Sequence, residues 1–384
     1  MVRAYGALVV ASPGELVDRA QRRAGLTDLG PGGWQIGLAR LVDAVGREVS
    51  DPDSVARIEA IIDERLVQRL RIEGWYSEHG ETATDPVESP IIVFGLPRTG
   101  TTALHHVLSL DPQLRYLRSW ELADPIPPPV IGTEESDPRR PTDVPRSDVR
   151  HLVAVDGPAE CWPIHALAFD HAELTLPIPS YSAWWREREH TDLGSYHARF
   201  LRLLHSRRPP HRWLLKLPAY VFLLEEMAAQ YPDATFVMTH RDPVAVVAST
   251  CSVVADSRSK RVPTWAPDER FGPMLLEHWA DGANRAMAAR RALGAHRFVD
   301  VAQHDLQADP AGVARRVYEA ADLERTAATE HATDVWADEQ RRPERGAHVY
   351  SLEEYGLTAE DVTTAFAAYL TQFGDLCHRA AHDR

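Results

Sequence analysis

Near the start of the chain, apolar positions recur at helical spacing. From Ser12 to about Gly74 the pattern is helical throughout. In ASPGELVDRAQRRAG, Ser12 stands as an N-cap, Pro13 takes the first helical position and Gly25 follows the last turn. In DPDSVARIEAIIDERLVQRLRIEGW, the residues Val55, Ile58, Ile61, Ile62, Leu66 and Leu70 share one face. No catalytic constellation falls in this stretch. Residues 1–85 are expected to form a helical N-terminal segment packed on the core.

The pattern then changes period. PIIVFG (90–95) is a short, continuous apolar run rich in β-branched residues, as a strand buried on both faces requires. RWLLKLP (212–218), ATFVMTH (234–240) and HRFVDVA (296–302) repeat the theme. Each is followed by a helix-like segment: TALHHVLSL, AYVFLLEEMAAQYP, PVAVVASTCSVV and AGVARRVYEAA. Strands alternating with helices predict an α/β fold, a P-loop-like parallel sheet flanked by helices, over residues 86–384. Ligands of such sheets bind beyond the carboxyl ends of the strands, so the residues after each strand matter most.

An insertion at about 123–210 interrupts the alternation. Its first part, 123–150, carries seven prolines and reads as an extended excursion rather than a strand or long helix. Its second part is helical and aromatic, with Trp162, Phe169, Tyr181, Trp184, Trp185, Tyr196 and Phe200. Such rings either line an apolar pocket or fill core.

Composition narrows the partners. The 42 Lys and Arg against 56 Asp and Glu leave a formal net charge of −14. That argues against nucleic acid and against steering of large polyanions by the overall field. An anionic ligand needs a local set of donors instead. Cys161, Cys251 and Cys377 are odd in number and widely spaced, which implies neither a disulfide framework nor a zinc site. With no signal-peptide pattern and no apolar run of the ~20 residues a membrane span needs, a cytoplasmic setting is expected.

The strand ends supply those donors. After the first strand, Gly95-Leu-Pro-Arg-Thr-Gly100-Thr101-Thr102 keeps the glycine frame of a phosphate-cradling loop. The usual lysine is replaced by Thr101, and Arg98 has entered the loop. Backbone N–H groups and a helix start suit an anion there. Metal-bridged triphosphate binding is poorly served, and no metal is expected. The second strand ends in Lys216, and the third runs into Arg241, with Ser249 eight residues on and Asp242-Pro243 opening a helix between them.

GLPRTGTT, LLKLP and RDPVAVVAS, in this order and each at a strand end, resemble the sulfotransferases that use 3′-phosphoadenosine 5′-phosphosulfate (PAPS). The Arg-containing loop, the Trp120-Glu121 pair before the proline run and HVYSLEEYGL resemble the actinobacterial branch, including mycobacterial members. The resemblance implies that Arg98, Thr99, Gly100, Thr101 and Thr102 bind the 5′-phosphosulfate, and that Arg241 and Ser249 bind the 3′-phosphate. It implies transfer of the sulfuryl group to a hydroxyl, with Arg98 and Lys216 stabilising the leaving phosphate. Acceptors would be small hydroxylated molecules or glycolipids.

Departures from the family leave two roles to fill. Leu217 and Pro218 follow Lys216 where the cytosolic branch has a histidine base. Glu121, placed like the glutamate base of other branches, is expected to take its role, with His165, His190 and His197 as rivals. RGAHVYSLEEYGL, with Gly346, His348 and Tyr350, stands in for the missing donor-closing motif, and Tyr350 is expected to touch the donor. Two other readings follow from the frame alone. One is a nucleotide-dependent kinase or NTPase with Asp300 or Asp305 holding magnesium. The other is a non-catalytic protein that binds 3′,5′-ADP.

Overall fold

A computed structural model describes residues 10–80, 86–140, 157–207, 212–340 and 351–378. Among these, five parallel strands form one sheet: β1 (Ile91–Gly95), β2 (Leu114–Arg115), β3 (Arg212–Lys216), β4 (Thr235–His240) and β5 (Phe298–Ala302), in the order β2-β3-β1-β4-β5. Every residue of β1 is buried, which accounts for its unbroken apolar sequence. Edge strand β2 has two residues, too few for any periodicity.

Strand order positions the site. β1 lies between β3 and β4, with Val93 opposite Lys216 and Gly95 opposite Thr239. The loops leaving these three strands therefore open side by side at one end of the sheet, where the chain's direction of winding reverses. Gly95 (φ 146°) makes the approach possible, since a Cβ there would lie 2.6 Å from the Thr239 carbonyl oxygen.

The helices mostly follow the periodicity. Pro13–Ala24 begins with a capping box between Ser12 and Glu15 and ends at left-handed Gly25. Pro52–His79 buries Val55, Ile58, Ile62, Leu66 and Leu70, with Ile61 half-buried. Together with Trp34–Glu48 these helices share an apolar core with Phe169, Ile178 and Tyr181 of the insertion. Arg69 ties the two further, donating to the carbonyls of Leu29, Pro31 and Leu167. After β3, the single helix expected over 219–232 is a 3-10 turn, Pro218–Phe222, followed by a short helix, Leu224–Gln230. Pro218 starts the turn, and the backbone breaks at Leu223 (φ −125°, ψ 16°).

Candidate active site

Three loops converge on one patch of cationic and hydroxyl groups. The loop after β1 runs into the helix Thr101–Leu108, whose first backbone N–H groups have no intrahelical acceptors. Two residues in it have positive φ, Arg98 at 65° and Gly100 at 98°. Arg98 Nε donates to Ser249 Oγ (3.1 Å), and Arg241 Nη1 donates to the Arg98 carbonyl (3.0 Å). Arg98, Arg241 and Ser249 thus meet, although 143 residues separate the two arginines. Asp242 orients the far side of this patch. It caps the helix Pro243–Arg261 by accepting from the Val244 N–H (2.9 Å) and so sets the helix that carries Ser249.

The loop threonines divide their work. Thr99 is fully buried, with its hydroxyl donating to the Leu96 carbonyl (2.6 Å) and touching the Thr239 hydroxyl (2.6 Å). That side chain braces the loop and leaves only its backbone N–H for a ligand. Thr102 faces the other way, accepting from Lys216 Nζ (3.0 Å).

Lys216 is 2 % exposed, and its ammonium also contacts the Glu160 carboxylate. Glu160 is placed there by backbone pairing, because the Cys161 N–H donates to the Lys216 carbonyl (3.0 Å) and the Ala159 N–H to the Leu117 carbonyl (2.7 Å). The segment therefore runs past the end of β3. Burial pushes the neighbouring Cys161 thiol up to about 11, so it stays protonated.

Beyond Lys216 opens a cavity of about 470 Å³. Thr102, Lys216 and Glu160 mark its junction with the loop patch, and Trp162, Trp185 and Ala219 supply apolar wall. A second space of about 360 Å³ shares Ser119, Ala159, Glu160 and Trp162 with it. A patch of cationic and hydroxyl groups and a mostly apolar cavity are thus joined through a buried lysine.

Residues 90–327 match the family model described as the sulfotransferase family. The chain belongs to the sulfotransferase family. Among solved structures this sulfotransferase is similar to STF9 from Mycobacterium avium, at 30% identity and a TM-score of 0.86, over 96% of this chain and 98% of that one. It is also similar to STF1 from Mycobacterium tuberculosis, at 30% identity and a TM-score of 0.83, over 94% and 100% of the two chains. Comparison with curated proteins yields no match.

Glu121, expected as the base, stands apart from this cavity. It is fully buried, with its carboxylate 3.6 Å from Arg115 and 3.5 Å from Arg118, and it accepts from the Arg118 N–H as part of a helix-start box. These contacts make it a structural anchor for the turn at Ser119–Ala123.

The rival histidines separate as well. His197 is held between Tyr231 (2.7 Å) and Tyr220 (3.1 Å), and burial pushes it down to about 3. His190 is bound to Asp170 (2.7 Å) and lies outside the cavity wall. His165 does line the cavity. Most of the aromatic segment is core: Phe169, Tyr181, Tyr196 and Phe200 are buried, and among its rings only Trp162 and Trp185 reach the cavity.

Tyr350, Gly346 and His348 lie outside the described residues. Asp300, the candidate magnesium ligand of a kinase, is committed to a bidentate pair with Arg290 (2.9 and 2.8 Å) and to His240 (2.8 Å). Asp305 pairs with Arg316 and His304.

Sequence reading missed Glu160, His171, Glu173 and Arg65. His171 and Glu173 face the cavity, and Arg65, from the helical preface, lies 3.8 Å from Glu173. The H-x-E spacing of His171 and Glu173 was the available signal.

Proposed function

We propose that this sulfotransferase takes its sulfuryl group from PAPS and passes it to a hydroxyl of a small, largely apolar acceptor seated in the cavity. The observation that carries this reading is the junction at Lys216, whose ammonium touches both the donor loop at Thr102 and the cavity at Glu160. The cluster of Arg98, Arg241 and Ser249 suits a donor bearing separate phosphates, and the loop's backbone suits the phosphosulfate.

In-line transfer forms a bond from the acceptor oxygen to sulfur as the bond from sulfur to the bridging phosphate oxygen breaks. Little covalent work falls to the protein, so positioning and charge stabilisation carry the rate. Backbone N–H groups of Thr99 to Thr102 orient the anion. Arg98 and Lys216 stabilise charge building on the leaving oxygen. Glu160, adjacent to Lys216 and open to the cavity, takes the proton of the acceptor hydroxyl. Engagement of Lys216 by the donor frees Glu160 for that proton, which couples donor binding to base activity.

The two adjoining spaces favour an acceptor with an extended apolar body, such as a lipid-like alcohol. A reducing, cytoplasmic setting belongs to this reading, in keeping with three buried, unpaired thiols.

The test is transfer from radiolabelled PAPS to a panel of apolar alcohols and phenols. Label in the organic product, with one equivalent of 3′,5′-ADP formed, is the expected result. Label transfer from no donor but a nucleoside triphosphate would overturn the proposal.

A further inference from the structure

The cavity beyond Lys216 carries more positive charge than an apolar pocket needs. Among the described residues, Glu160, Glu173, Lys216 and Arg261 are the acidic and basic side chains that border it. Lys216 and Glu160 answer each other. Glu173 has a partner in Arg65, 3.8 Å away on the wall of the adjoining space. Arg261 is the cation left over.

Its charge lies close to the Glu173 pair. Although burial opposes it, His171, Arg65 and Arg261 hold the Glu173 carboxyl below the usual carboxylate range. Burial lowers Arg65, with Glu173 working against that shift and the Arg261 charge adding to it. Arg258, buried in the same last turn of helix, feels the same carboxylate while its Nε donates to the Leu174 carbonyl (2.9 Å). Three guanidiniums thus gather around one carboxylate. That carboxylate is already occupied, accepting from the His171 ring and from the N–H and hydroxyl of Thr175.

A basic residue in the last turn of a helix needs no ligand to explain it. Lys260 is such a case, exposed and paired with Asp256 (2.8 Å). Arg261 differs, because it is half-buried on the cavity wall beside two other guanidiniums. It is also remote from the patch of Arg98 and Ser249. Ser249 lies about 18 Å back along the same helix, at 1.5 Å per residue. The cation therefore belongs to the cavity and not to that patch.

We propose that Arg261 binds an anionic group of the acceptor, a carboxylate above all, so that the preferred substrates are hydroxy acids with an apolar body. This rests on the cavity being the acceptor site. A guanidinium presents paired N–H donors that match a carboxylate. The hydroxyl lies beside Glu160 and Lys216 for transfer, the carboxylate against Arg261, and the wall at Trp162, Trp185 and Ala219 takes the apolar body.

The sign of the preference makes this testable. In a plain apolar pocket a carboxylate binds worse than its neutral ester, because it is desolvated without a partner. The net charge of −14 opposes an anion as well. Only a local cation reverses that order. Hydroxyoctanoate, hydroxydecanoate and hydroxydodecanoate, each with its hydroxyl at the end opposite the acid, are titrated calorimetrically beside their methyl esters, with 3′,5′-ADP present.

At least one acid is expected to bind ~10-fold or more tightly than its ester. Arg261→Gln is expected to erase the preference, and Arg261→Lys, which keeps the charge, to retain part of it. The proposal is overturned if the wild type favours the esters, binds none of the acids, or keeps its preference in Arg261→Gln. Should Arg261→Gln not fold, the wild-type comparison decides alone. Calorimetric binding of 3′,5′-ADP to the same wild-type samples separates the two levels. Its absence sinks the PAPS reading, whereas its presence without a preference for the acids sinks only this inference.

Discussion

Lys216 at the end of β3 and Glu160 on the cavity wall form an ion pair at the point where the loop after β1 meets the cavity. The pair gives each residue a distinct expected phenotype. Glu160→Gln removes a base while keeping the shape. Turnover is expected to fall by ~10²–10⁴ with 3′,5′-ADP affinity retained. Unchanged turnover in this variant would pass the base role to a histidine of the cavity.

Arg98 offers a clean test of charge stabilisation because of its backbone. At φ 65° a side chain is disfavoured, so Arg98→Gly removes the guanidinium without adding strain. Sulfuryl transfer is expected to drop by ~10²–10³ while the denaturant midpoint stays level or rises. A fall in stability matching the fall in rate would instead assign Arg98 a structural role.

Glu121 leads to the opposite prediction. Its removal takes a buried carboxylate away from Arg115 and Arg118. Glu121→Ala should cost about 3–5 kcal/mol of stability. The rate per folded molecule should change little. Wild-type stability together with lost turnover would restore Glu121 as the base.

The contrast between Glu121 and Glu160 shows where sequence stopped being informative. The parallel sheet, its four long strands and the loop residues Arg98, Lys216, Arg241 and Ser249 were legible because each sits at a fixed offset from an apolar run. β2 has too few residues to show a period. Glu160 follows no periodic segment. Its position depends on the backbone bond from Cys161 to Lys216, a contact across 55 residues that no local pattern encodes. Arg65 was hidden for another reason. It sits on a helix whose apolar face explains its sequence completely, so nothing marked it as reaching Glu173.

Acid sensitivity follows from the buried histidines. Burial, the leading cause, pushes His197 and His278 down to about 3, and it also lowers His105, His165, His171 and His240. In the unfolded chain these groups take up protons below about pH 6.5, while in the native state their uptake is shifted to lower pH. The unfolded state therefore binds more protons, and stability rises with pH in this window. Stability should be fully present above pH 6.5 and decline as pH falls toward 5, by up to about 1.4 kcal/mol per pH unit for each such histidine. Urea midpoints that stay flat from pH 6.5 to 5 would contradict this, as would His197→Gln failing to flatten the slope.

The central claim concerns the donor, and calorimetry tests it most directly. Binding of 3′,5′-ADP is compared with that of ADP and of magnesium-ATP, in the wild type and in Arg241→Ala. In the proposed reading Arg241 and Ser249 bind the 3′-phosphate, so 3′,5′-ADP should bind at least ~10-fold more tightly than ADP, and Arg241→Ala should erase that difference. Equal binding of the two nucleotides, or preference for magnesium-ATP, would contradict PAPS as the donor.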